Sequence, residues 1–271
     1  MGLVTCDLYL ATMFRMRTEA DYGVAENYRI LYEDPWLLAV DKPAPLPVHP
    51  GGRFVHKTLL SLLKRDRSEL PERLSCVNRI DSETSGLVIV ARSPHAAGEI
   101  GIEFQERRVR KEYSAILTGH WAASEGVLDL ALGTQACHQF RLRIHDPQGE
   151  SARTRYQVLG YGQTGDFKYT RVKAWPETGR MHQLRAHFAL AGYPVVGDKI
   201  YIDPALFSRY LEGGWQEDML AVLKAPRLLL HAGRLSFRHP MTGEDMNFSS
   251  ELPGVFWPFT DTKGGDVQPD F

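Results

Sequence analysis

Cysteine is scarce in this chain. Cys6, Cys76 and Cys137 lie far apart in 271 residues and never form a Cys-x-x-Cys pair, which argues against a disulfide framework and a thiolate zinc site. They read as core or incidental thiols. No run approaches the ~20 apolar residues of a membrane span. The first residues also lack a basic start, an apolar stretch and a small-residue cleavage site, so the expectation is a cytoplasmic chain with no membrane partner. Neither sign of charge dominates: 32 Lys and Arg stand against 33 Asp and Glu, a formal net charge of −1. That balance neither demands nor forbids a nucleic-acid partner, because the clustering of cations decides. Internal repeats and low-complexity tracts are missing too.

With 43% hydrophobic and 24% charged residues, the chain can build an ample core. Residues 1–26 show no sustained periodicity and read as an extension. Residues 27–260 offer no convincing linker and read as one domain, with 261–271 as a tail. Tyr28 to Glu33 and Trp36 to Val40 read as strands, followed by an extended loop through Pro43, Pro45, Pro47 and Pro50. Helices are expected from Thr58 to Leu63, from Pro94 to Arg108 with proline at its start, and from Gly179-Arg180 to Ala191. Between the last two lie strand-like runs at 111–119, 127–132, 138–144, 154–159 and 169–175. Further strands are expected at 228–231, 235–239 and 246–249. A meander of this kind predicts an α+β fold rather than strict βαβ alternation.

Two familiar motifs fail on context. Gly160-Tyr-Gly162-Gln-Thr-Gly165 matches a dinucleotide fingerprint, yet a strand-like run follows where a helix is required, so a hairpin turn is expected. His182 and His187 are spaced by five, about 140° apart around a helix, whereas helical zinc pairs need a spacing of four. His231 and His239 lack ligand spacing, which leaves a zinc hydrolase as an outside alternative. No cofactor and no metal are expected.

The most informative segment is 78–86, Asn-Arg-Ile-Asp-Ser-Glu-Thr-Ser-Gly, a polar loop between the short Ser75-Cys76-Val77 run and the apolar Leu87-Val88-Ile89-Val90-Ala91. Asp81 in that loop is a nucleophile, an acid/base group, or a turn residue bonding its own backbone. Basic residues cluster at Arg107, Arg108, Arg110 and Lys111, then at Arg141/Arg143, Arg153/Arg155 and Lys168/Arg171/Lys173. Spacing by two on a strand places cations on one face, either a solvated surface or a phosphate-binding stripe. In the helix after Gly179, His182 and Arg185 fall together beside an apolar seam of Leu184, Phe188 and Ala191. A guanidinium there wants a carboxylate, and Asp81 as its partner would stay ionised.

Taken together, Asp41-Lys42-Pro43, Arg79-Ile-Asp81-Ser-Glu-Thr-Ser-Gly86, Lys111-Glu-Tyr113, Gly179-Arg-Met-His-Gln-Leu-Arg-Ala-His187, Pro194-Val-Val-Gly-Asp198, Leu230-His-Ala and His239-Pro-Met-Thr-Gly-Glu244 resemble the RluA-type RNA pseudouridine synthases, in the family's order. The resemblance implies a mixed, largely antiparallel central sheet with a cleft, and cofactor-free isomerisation of uridine to pseudouridine in ribosomal or transfer RNA. It implies Asp81 as catalytic aspartate, Arg185 as its ion-pair partner, and Tyr113 as the tyrosine stacking on the target base. Arg79 matches the arginine that helps displace the flipped nucleotide, and Thr84, Arg180 and His182 are expected to bind substrate as well. Where the family usually has His and Leu around that arginine, this chain has Asn78 and Ile80. No S4 RNA-binding module is expected before Tyr28, so substrate choice should rest on the basic strands and on residues 203–225. A monomer is expected. The rival readings are an RNA-binding member that has lost catalysis and a glycosidase acting on a free nucleoside.

Overall fold

A computed structural model describes residues 23–51, 54–137 and 140–260. The expected extension and tail lie almost wholly outside the described residues. So do His138 and Gln139, at the start of one expected strand.

The N-terminal half is built on β1 (Arg29–Glu33), β2 (Leu37–Lys42), the two-residue β3 (Ser75–Cys76) and β4 (Ser85–Ala91), with α1 (Leu59–Asp66) and α2 (Pro94–Gln105). Every residue of β4 is buried, as expected of an unbroken apolar run at the centre of a sheet covered on both faces. Period two sorts its neighbours: Leu38, Val40, Val88 and Val90 pack with α1 on one face, and Leu37, Ala39, Leu87 and Ile89 with α2 on the other. Both helices start where their sequences say. Thr58 accepts from the Ser61 N–H, and Ser93 accepts from Ala96 with Pro94 in the first turn, which satisfies otherwise orphaned donors.

The second half contributes β5 (Arg110–Thr118), β6 (Glu125–Asp129), β9 (Arg153–Thr164) and β10 (Phe167–Pro176) to the same sheet, while β7 (Leu132–Cys137) and β8 (Phe140–His145) pair separately. Next come α3 (Gln183–Leu190), α4 (Pro204–Gly213) and α5 (Asp218–Leu223), then β11 (Leu230–Arg238), β12 (Asp245–Ser249) and a 3-10 turn at Gly254–Phe259. Leu184 and Phe188 of α3 pack on Ala115, Leu117, Val172 and Ala174 of β5 and β10. Among the described residues the main sheet has ten strands in the order β1-β2-β4-β11-β5-β10-β9-β6, with β12 on β11 and β3 on β4. Among these described strands only the β4–β11 ladder is parallel, so the expected mixed, largely antiparallel α+β fold is present.

Three local expectations are corrected. The strands expected at 228–231 and 235–239 are one strand, β11, whose register shifts between Ala232 and Arg234. Gly233, which suggests a break, sits in that bulge. The helix expected from Gly179 begins at Gln183, because the Gln183 side-chain carbonyl accepts from the Arg180 N–H and the Thr178 hydroxyl and holds the preceding residues in a turn. Of the three glycines in the rejected fingerprint, only Gly165 (φ +57°) lies in the β9–β10 turn. A Cβ at Gly162 would strike the Tyr169 ring across the ladder.

His231 pins the two halves together. It is 1% exposed, and its ring nitrogens lie 3.0 Å from the Ser85 hydroxyl and 3.1 Å from the Ser250 carbonyl. The carbonyl can only accept, so the proton sits on Nε2 and Ser85 donates to Nδ1. Burial pushes the imidazole down to about 4 from 6.5. The unfolded chain therefore takes up a proton near pH 6.5 that the folded chain refuses until about pH 4, so folding stability should fall as pH drops through that window, by on the order of 3 kcal/mol. Burial lowers His49, His182 and His187 in the same direction. Denaturant titrations at pH 7, 5.5 and 4.5 should show the decline, and His231→Gln should make it shallower; equal slopes would refute the assignment.

Candidate active site

Asp81 lies in the loop between β3 and β4, and three supports hold that loop. Lys42, fully buried at the end of β2, donates to the carbonyls of Pro43 (3.0 Å), Leu46 (2.7 Å) and Ser82 (3.1 Å), using all three ammonium protons. The Thr84 N–H donates to the Asp81 carbonyl. Asn78 completes the set: its amide donates to Leu87 O and accepts from Ile89 N, extending the β3–β4 ladder with a side chain. At Gly86 (φ +109°) any Cβ would lie 2.2 Å from Ala232 O, so only glycine lets β4 reach β11 so close to Asp81.

Arg185, on α3 and 6% exposed, meets two carboxylates. Its Nε and Nη2 donate to both oxygens of Asp198 at 2.7 and 2.8 Å, and its Nη1 donates to Asp81 Oδ2 at 2.9 Å. Asp198 is wholly buried. Its Oδ1 also accepts from the Ile200 and Tyr201 N–H groups, and Gly197 before it (φ +79°) leaves no room for a side chain against Arg227 O. The partnership of Asp81 and Arg185 is thus present, but the two-pronged bond goes to Asp198, which sequence reasoning quoted without assigning a role.

Burial alone would raise the Asp81 carboxyl, yet neighbouring cations outweigh it and hold the group below its ordinary 3.8. His182 adds to that field only when protonated, and burial holds its own imidazole below 6.5. At neutral pH the field therefore comes first from Arg185, with Lys42 behind it; burial pushes that ammonium down to about 7. Asp81 is an ionised carboxylate with Oδ2 clamped by Arg185 and no described donor on Oδ1, and it lines a cavity of about 250 Å³ walled in part by His182, Lys199, Phe207 and Tyr210. Phe207 and Tyr210 belong to α4, so residues 203–225 do border the site.

The remaining expected residues divide. Tyr113, on β5, lies between Ala232 and Ala174 of the flanking strands. Burial, then the charge of Asp81, push its hydroxyl well above 10, so it stays protonated. His182 Nε2 lies 3.9 Å from Asp81 Oδ1. Arg79 is exposed, close enough to His49 to depress that imidazole after burial has done so. Thr84 is buried, and Arg180 is engaged by the Ser151 carbonyl and Glu150 rather than by Asp81. The basic strands are not a row of unpaired cations: Arg143, Arg153 and Lys173 each meet a carboxylate, and Arg155 lies over the Trp175 ring.

An ionised aspartate, the buried arginine that holds it, and a protonated tyrosine near enough to feel the aspartate's charge are the set that the sequence blocks pointed to. The sequence model of the family described as RNA pseudouridylate synthase matches residues 36–190, a span that contains all three. The chain belongs to that family. The dual-specificity RNA pseudouridine synthase RluA of Escherichia coli (strain K12) is 35% identical over 221 residues, covering 82% of this chain and 91% of that protein. Ribosomal large subunit pseudouridine synthase D of Nitrosomonas europaea is 34% identical over 231 residues, 83% of this chain but 62% of that longer protein. Among solved structures, human RNA pseudouridylate synthase domain containing 1 superposes with a TM-score of 0.66 at 28% identity over 87% of each chain. Human domain containing 4 gives 0.64 at 26%, over 84% of this chain and 90% of that one.

Arg185→Met should leave Asp198 buried without a counter-ion, a destabilisation of roughly 3–5 kcal/mol, together with a loss of activity. Thermal and denaturant unfolding check the first and turnover the second; wild-type melting would contradict the role given to Arg185.

Proposed function

We propose that Asp81 is the carboxylate with which this RNA pseudouridine synthase converts a uridine of ribosomal or transfer RNA to pseudouridine. The observation that carries this reading is the asymmetric engagement of Asp81: Oδ2 is held by Arg185 while no described residue donates to Oδ1, and Asp81 lines a cavity of about 250 Å³. The reaction must break the glycosidic bond, let the uracil turn, and join its carbon 5 to the anomeric carbon. Attack on the anomeric carbon and removal of the neighbouring 2′ proton both need an ionised oxygen on the sugar side, and Oδ1 provides one. A base inside a stacked helix is out of reach, so the uridine has to be extruded first.

In this scheme Tyr113 offers its ring face to the base and a protonated hydroxyl near carbon 5. Arg79, exposed on the loop that carries Asp81, would help displace the nucleotide, and His182 lines the cavity on the substrate side; Thr84 and Arg180 would act from outside that lining, through the loop and the turn before α3. Asn78 fits an active enzyme, since both of its amide atoms serve β4 and no titrating group is required there. Among the described residues no helix is long and apolar enough to cross a membrane. The reading places the enzyme in the cytoplasm as a monomer bound to RNA, which sedimentation would check.

Asp81→Asn should abolish pseudouridine formation in a tritium-release assay on uridine-labelled RNA, with RNA affinity kept within about tenfold. Unchanged turnover would remove Asp81 from the chemistry, and free uracil among the products would point to a glycosidase. Tyr113→Phe keeps the ring and loses the hydroxyl, so binding should persist while turnover falls about a hundredfold; an equally fast variant would make the hydroxyl dispensable.

A further inference from the structure

His182 has an unusual backbone for a side chain of its kind. Its φ of 53° and ψ of 19° lie in the left-handed region, which disfavours a non-glycine residue by roughly 1–2 kcal/mol. It stands at the N-terminus of α3 without making a capping hydrogen bond, so helix capping does not account for it. What the conformation achieves is to set the imidazole between two oxygens: Nδ1 lies 3.4 Å from the Tyr201 hydroxyl, and Nε2 lies 3.9 Å from Asp81 Oδ1.

The proton on that ring can be placed from its neighbours. The Arg143 N–H can only donate, and it donates to the Tyr201 oxygen at 3.2 Å. The Tyr201 hydroxyl still has its own proton to give to His182 Nδ1. The Asp81 carboxylate on the other side can only accept, so the tautomer that suits both neighbours carries the proton on Nε2, facing Asp81, and leaves Nδ1 to accept from Tyr201; burial holds the imidazole below 6.5. Tyr201 is well placed to impose this. Burial pushes its hydroxyl up to about 12, so it remains a donor. Its backbone N–H is held by Asp198, and its ring lies 5.3 Å from the Arg185 guanidinium.

A separation of 3.9 Å is too long for a hydrogen bond between Nε2 and Oδ1, but it admits a third oxygen bonded to both. That oxygen must accept from the imidazole and donate to the carboxylate, and of the sugar's oxygens only a hydroxyl does both. With the anomeric carbon of a uridine at Asp81, the adjacent hydroxyl is the 2′-OH. We propose that His182 and Asp81 Oδ1 together form a subsite for the ribose 2′-hydroxyl, and that Tyr201 is a positioning residue which fixes the His182 tautomer. The subsite rests on the pseudouridine synthase reading above, and it would let the enzyme tell RNA from a DNA sugar at the reacting nucleotide.

The test compares kcat/KM on one RNA carrying either uridine or 2′-deoxyuridine at the target position. Wild-type enzyme should favour the ribonucleotide. His182→Ala and Tyr201→Phe should each lower the ribonucleotide rate more than the deoxynucleotide rate, shrinking the preference about tenfold, as loss of one hydrogen bond allows. His182→Gln retains an N–H donor and should recover part of it. Nitrogen-15 NMR of histidine-labelled free enzyme should show a protonated Nε2 and a bare Nδ1 at His182, with the Nδ1–H form appearing in Tyr201→Phe. Pseudouridine formed with the same preference in all variants, or a wild-type Nδ1–H tautomer, would overturn the subsite alone. Absence of pseudouridine from every reaction would overturn the reading beneath it and the subsite with it.

Discussion

One guanidinium organises this molecule. Arg185 is buried where a lone charge would be costly, and its position is tolerable only because two carboxylates reach it from different parts of the chain. Asp198 arrives 13 residues later through the turn after α3, and Asp81 lies 104 residues earlier, on the loop that enters β4. The ion pair therefore ties the N-terminal half of the sheet to the helix that packs on its C-terminal half. It also keeps a carboxylate ionised in a cleft that would otherwise favour the protonated acid.

The two aspartates are separated in role by how fully they are bonded. Both oxygens of Asp198 face Arg185, and one of them also receives two backbone N–H groups, so it is an anchor with nothing left to offer a ligand. Asp81 has one oxygen engaged, and no described residue donates to the other. A carboxylate in that condition combines a fixed position with free lone pairs, which general-base or nucleophilic chemistry requires. The backbone beneath it is held by Lys42 and Asn78, so rigidity comes from groups that never face the cavity.

Much of this can be read from the chain before any coordinates. The unbroken apolar run of β4, the capped starts of α1 and α2, and the loop around Asp81 all follow from local patterns, and the ordered blocks identify the family. What is not legible is anything that depends on two distant segments meeting. No period or spacing says that Asp198 rather than Asp81 takes the two-pronged bond from Arg185. The late start of α3 depends on Gln183 folding back on Thr178 and Arg180, a side-chain choice that a helical pattern cannot reveal. Gly233 reads as a break between two strands until β11 is seen to carry a bulge there. Nor does spacing along the basic strands show that Glu112, Glu150 and Glu177 reach Lys173, Arg143 and Arg153.

The place of β11 in the sheet has a consequence for how the protein is made. It is nearly the last strand in sequence, yet it lies in the middle, between β4 and β5, and His231 bonds to a serine 146 residues earlier. During synthesis, β1 to β4 and β5 to β10 can each assemble as the chain emerges, but each half-sheet keeps an open edge until Leu230 to Arg238 leave the ribosome. Such edges are templates for pairing with other chains. Closing them requires contacts of high sequence separation, which form slowly. A chain interrupted before residue 230 would present two apolar edges and no closing strand, so the hazard of aggregation is concentrated in the last stage of translation.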